Sequence, residues 1–85
     1  MEERRTLGER IEAGRRRKRL SVMDVALATK INPYYLRAME RGDLHLLPAM
    51  VYVKGYVRSV GRLLGLDCAD LYSMLPASEG GAASA

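Results

Sequence analysis

Read as a pattern of apolar and polar positions, the chain divides into short helical stretches separated by capping residues and turn formers. Thr6 followed three residues later by Glu9 is a capping box, opening a helix through "LGERIEAGRRRKR" with Leu7, Ile11 and Leu20 as scattered inward anchors. Ser21 with Asp24 repeats the device before the short run "VMDVALA". That run gives way at Thr29-Lys30-Ile31 to a third start, where Asn32 caps and Pro33 takes the first helical position of "PYYLRAMER", which Gly42 ends. Pro48 permits a fourth helix, on whose wheel Ala49, Val53, Val57, Val60 and Leu64 share one arc, expected to face the core. Gly65 supplies its stop, Asp67 caps a last helix, "CADLYSML", and Pro76 closes that. No stretch alternates with the period of a strand. The expectation is an all-α domain of five helices over residues 6–75, followed over 76–85 by a small-residue tail or linker start with nothing to bury.

The second and third starts lie within about twenty residues of each other as capped helix, brief turn and capped helix, which is the helix-turn-helix pattern. The fourth helix is less ordinary. Its stretch "VYVKGYVRSV" carries Tyr52 and Tyr56 four residues apart, with Lys54, Gly55 and Arg58 between and beside them. The tyrosines fall beside Ser59 and Leu63, on a stripe flanking the apolar arc. From geometry alone they either widen the buried face or form a rigid pair of contact anchors. Gly55, mid-helix, costs about 1 kcal/mol relative to alanine. Close approach is the reason to look for, by a partner or by another helix of the same domain.

Composition narrows the class. The chain has 85 residues, 48% of them hydrophobic, enough for one small core and no second domain. Phe and Trp are absent, so aliphatic residues and five tyrosines must fill the core and any contact surface. The single cysteine, Cys68, cannot close an intrachain disulfide, which fits a reducing compartment such as a cytoplasm. No apolar run approaches membrane-spanning length and "MEERR" lacks a signal-peptide core, so a soluble, unsecreted chain is expected. The net charge of +4 is concentrated early: residues 1–42 hold eleven Lys/Arg and six Asp/Glu, whereas residues 43–85 hold three and four. Such a basic half suits nucleic acid, anionic lipid or an acidic protein surface. The run "RRRKR", residues 15–19, is explained by a solvated helix end whose cations complement the dipole, or by attraction to lipid or nucleic-acid phosphate. His45 and Cys68 are solitary, with no ligand cluster, nucleophile-base set or glycine-rich phosphate loop around them. No metal, no cofactor and no enzymatic activity are expected.

Three stretches, "LGERIEAGRRRKRLSVMDVALATKI", "NPYYLRAMERGD" and above all "LPAMVYVKGYVRSVGRLLGLD", carry a resemblance. The chain resembles the lambda-repressor-like helix-turn-helix domains and, more closely, the cytoplasmic domains of the RodZ family of bacterial cell-shape proteins, over roughly residues 6–75. That resemblance implies a five-helix lambda-repressor-like fold at the cytoplasmic face of the inner membrane, binding the actin-like filament protein MreB through the fourth helix and neighbouring surface. It moves Tyr52 and Tyr56 toward partner contact, with Lys54 and Arg58 steering toward an acidic surface and Tyr35 and Arg37 extending the patch. Family members continue into a basic juxtamembrane stretch and a transmembrane helix. This sequence stops before either, as a piece of a longer protein or a free-standing relative, so membrane attachment is expected only through a segment outside it.

The rival reading is a DNA-binding regulator of the repressor type, placing Lys30, Arg37 and Arg41 on phosphate and groove. Against it, Val22 stands where a polar phosphate contact usually opens the second helix. Pro33 and Tyr34 stand where base-reading side chains usually open the third, and proline cannot hydrogen-bond a base edge. Weak, sequence-indifferent DNA binding is the residue of that reading. A third reading is a domain docking on anionic lipid through residues 15–19.

Overall fold

The computed structural model describes residues 5–76, so all but the first residue of the expected tail lies outside the described residues. Five helices run in the order α1 (Leu7–Arg17), α2 (Val22–Thr29), α3 (Pro33–Arg41), α4 (Met50–Leu64) and α5 (Cys68–Ser73), with no strand among the described residues.

The starts are built as their residues dictate. At α1 the Glu9 amide donates to Thr6 Oγ1 at 3.1 Å while the Thr6 amide donates to Glu9 Oε1 at 3.0 Å, satisfying two otherwise orphaned donors. Ser21 and Asp24 exchange the same pair of bonds at α2. Asn32 Oδ1 accepts from the Tyr34 amide at 2.8 Å, and Asp67 Oδ1 from the Ala69 amide at 3.0 Å. Gly42 and Gly65 end α3 and α4 with φ of 81° and 74°, a left-handed step that costs glycine nothing. Lys30 ends α2 in the same region at φ 63° without that freedom.

Ile11, Val25, Leu36, Met39, Val53, Val57, Val60, Leu64 and Leu71 form the centre of one core, to which all five helices contribute. The α4 arc therefore faces inward as its spacing requires, with one correction. Ala49 is exposed: it is the N-cap of α4 and lies outside the helical repeat that places the valines. Two glycines set how closely helices approach. A β-carbon on Gly8 would lie 2.6 Å from the Met39 carbonyl oxygen, so α1 sits directly on the backbone of α3. One on Gly61 would lie 3.0 Å from Cys68 Sγ and 3.1 Å from Leu71 Cδ1, which brings α5 against α4. A 3-10 turn over Leu44–Leu46, not expected from the sequence, carries the chain from α3 to α4. Its register comes from the Leu46 and Leu47 amides reaching back to Asp43 and Leu44, with no side-chain cap to announce it.

The basic run 15–19 does not stay one solvated face. Arg15 turns inward, donating from Nε to Glu40 Oε2 at 2.7 Å, from Nη2 to Oε1 at 3.0 Å, and from Nη1 to the Leu20 carbonyl at 3.0 Å. Both side chains of the pair are nearly covered, at 13% and 12% exposure. The hydrogen bonds to Glu40 hold the Arg15 guanidinium above its ordinary pKa, outweighing the opposite effect of burial. Arg16 pairs with Glu12 one turn back, leaving Arg17, Lys18 and Arg19 exposed.

Candidate protein-contact surface

The outward side of α4 is set by its inward side. Val53, Val57, Val60 and Leu64 occupy one arc, so Val51, Gly55, Arg58 and Arg62 come opposite, with Tyr52 and Tyr56 on one flank and Lys54 on the other. Val51 is 72% exposed and Tyr52 57%, large apolar surfaces left mostly uncovered among the described residues. A β-carbon on Gly55 would meet nothing within 4 Å. Packing against another helix of the same domain therefore does not account for this glycine. It floors an open depression of about 330 Å³ lined by Val51, Lys54, Gly55, Arg58 and Tyr72. The Lys54 ammonium stands 5.5 Å from the centroid of the Tyr72 ring on α5, within cation–π range. Two cations, an aromatic face and bare backbone thus meet in one place.

The two tyrosines of α4 have different surroundings. Tyr56 is half-buried and stacks on Tyr35 of α3, centroids 5.9 Å apart and planes 21° apart. Tyr35 in turn meets Tyr34 edge-on at 5.7 Å. A row of rings therefore links the start of α3 to α4, and Tyr52 stands exposed one turn before Tyr56. Of the residues expected to form the patch, Tyr35 is brought against α4. Arg37 is not: two positions along α3 from Tyr35 it projects from nearly the opposite side and shares the outward face with Tyr34 and Arg41. Val51 and Tyr72 were not singled out from sequence, and Tyr34 was singled out only as standing where a base-reading side chain usually opens the third helix. Val51 was legible on the wheel, directly across from the valine arc; Tyr72 needed the packing of α5.

The start of α3 offers little to a base edge. Pro33 occupies the first position, the Asn32 side-chain oxygen is spent on the Tyr34 amide, and Tyr34 is 49% exposed. Val22 is half-buried against the core. Lys30 and Arg37 are exposed, and Arg41 Nε lies 3.4 Å from Asp43 Oδ2. His45 is exposed on the 3-10 turn and Cys68 Sγ lies 3.7 Å from the Arg58 carbonyl oxygen. No group of three or more His, Cys, Asp or Glu side chains suited to a metal occurs among the described residues. Nor is any helix among them long and apolar enough to cross a membrane.

One curated relative, an uncharacterized membrane protein of Bacillus subtilis (strain 168) named YmfM, is 34% identical over 53 residues. Those residues are 62% of this chain and 18% of the relative, so the likeness covers a small part of that protein's length. No solved structure matches the chain. Residues 10–71 match the family described as "Helix-turn-helix domain", a span from within α1 into α5 that takes in the capped α2–α3 pair and the whole of α4. With that match lying over the core just described, the chain belongs to the helix-turn-helix domain family.

Proposed function

We propose that the domain is a protein-binding adaptor of a RodZ-like cell-shape protein, and that the outward face of α4 engages the actin-like filament protein MreB. The observation that carries this reading is Gly55, a stability-costing residue in the middle of an exposed face, with open space over it and Tyr52, Lys54 and Arg58 around it. Bare backbone lets a partner approach closely, Tyr52 supplies a rigid amphipathic anchor, and the two cations steer an acidic surface into register. The likeness in "LPAMVYVKGYVRSVGRLLGLD" supports the choice of partner class. The B. subtilis relative is named as a membrane protein, which supports attachment of the domain to a membrane through a segment outside this sequence; the cytoplasmic side follows from the RodZ resemblance. In this reading it binds without catalysing and holds no cofactor.

The DNA-binding reading keeps one favourable observation, the exposure of Arg37 and Arg41 on the outward side of α3. Co-sedimentation with polymerised MreB separates the two. The wild-type chain should pellet with filaments, and Tyr52→Ala should weaken that binding by on the order of 2 kcal/mol while leaving the melting temperature in place. A chain that ignores filaments and binds one selected duplex far more tightly than random sequence overturns the adaptor reading.

A further inference from the structure

The end of α1 forms a second surface, remote from the tyrosines. The helix stops at Arg17, Lys18 caps it with its amide on the Gly14 carbonyl at 3.2 Å, and Arg19 turns the chain at φ 59° with its amide on the Arg16 carbonyl at 2.9 Å. A helical residue, a cap and a left-handed step follow one another at this corner, and all three are exposed cations. None of them makes an ion pair among the described residues, whereas Arg15 and Arg16 are taken by Glu40 and Glu12. Arg17 lies in the last turn of α1, where one cation complements the helix dipole; Lys18 and Arg19 stand past the helix end. Nearby acids are occupied: Asp67 caps α5 and Asp70 pairs with Arg10.

The corner abuts the far end of α4. Lys18 Cε lies 3.9 Å from where a β-carbon on Gly65 would stand, and the last turn of α4 adds the exposed Arg62. Ten residues of helix separate Arg62 from Tyr52, roughly 15 Å at the α-helical rise. Arg17, Lys18 and Arg19 thus share no residue with the α4 contact face.

We infer that Arg17, Lys18 and Arg19 dock the domain on an anionic lipid surface, presenting the tyrosine end of α4 away from the bilayer. Three exposed, consecutive cations at one helix end form a compact cluster that suits a plane of mobile headgroup phosphates better than the two fixed phosphate rows of a duplex, which reward a groove-tracking line of contacts. The inference rests on the reading that the domain works beside a membrane, and is independent of the filament contact.

The test is sedimentation of the 85-residue chain with vesicles of phosphatidylcholine, with and without phosphatidylglycerol, at low and at physiological salt. Wild type should bind only the anionic vesicles, and less as salt rises. The triple variant Arg17→Gln, Lys18→Gln, Arg19→Asn leaves the Arg15 clamp intact and should lower partition on the order of a hundredfold, about fivefold per cation removed. Its filament co-sedimentation should match wild type, so a failure of lipid docking is not confused with a failure of the α4 contact. Equal binding to pure phosphatidylcholine, no binding to anionic vesicles, or wild-type partition of the folded triple variant would each overturn the inference. So would tighter binding to random duplex DNA than to the vesicles, lost with the same three cations. Should the triple variant fail to fold, the single variants Arg17→Gln and Lys18→Gln decide, each expected to lower partition about fivefold, and wild-type partition of both would overturn the inference.

Discussion

Tyr52 and Tyr56 stand one helical turn apart, yet removing them has different consequences. Tyr56 stacks on Tyr35 and packs against the core, so Tyr56→Ala strips contacts from α3 as well as α4 and should cost about 2 kcal/mol of stability in chemical denaturation. Tyr52 is mostly in solvent, and Tyr52→Ala should change stability by no more than about 0.5 kcal/mol. If the two variants melt alike, the assignment of Tyr56 to structure and Tyr52 to contact fails. Arg15 is the other residue whose surroundings set its cost. Arg15→Ala leaves the Glu40 carboxylate nearly covered and without its two donors, and should cost about 3 kcal/mol. Because the Arg15 pKa is raised, its contribution holds below the unfolded-state value and is lost only as pH rises through the folded one. A stability curve that changes little between Arg15→Ala and wild type across neutral pH would show that the clamp adds nothing.

At the scale of elements, helix spacing depends on two glycines. Gly8→Ala would push a methyl into the carbonyls of Met39 and Glu40, which are backbone and cannot swing aside, so α1 must lift from α3. Thermal unfolding should show a loss of about 2 kcal/mol or more; a neutral Gly8→Ala would mean that α1 does not sit where described. These glycines were not legible in the sequence, because each marks an approach between elements distant along the chain. The caps were legible, since Thr6 with Glu9, Ser21 with Asp24, Asn32 with Pro33 and Asp67 act within three residues. The valine arc of α4 was legible from period alone, except at Ala49, where the helix had not begun. The division of labour between Tyr52 and Tyr56 was not, because it depends on Tyr35 arriving from α3. Likewise the basic run gave no sign that Arg15 would be claimed by Glu40, twenty-five positions away.

For the molecule as a whole, a net charge of +4 favours encounter with polyanions in general. With Pro33 and Tyr34 opening α3, binding to random duplex should be weak, indifferent to sequence and steeply reduced by salt, which filter or anisotropy titration across ionic strength measures. A flat salt response would remove the phosphate contacts assigned to Lys30, Arg37 and Arg41. If the exposed face of α4 exists for a partner, Gly55→Leu will show it. The new side chain has open space and a better helix propensity, so the domain should gain roughly 0.5 to 1 kcal/mol of stability. The same side chain fills the depression between Lys54, Arg58 and Tyr72 and bars close approach, so co-sedimentation with polymerised MreB should fall at least about tenfold, or 1.4 kcal/mol. A Gly55→Leu domain that melts higher and still pellets like wild type would mean that the α4 face is not a contact surface.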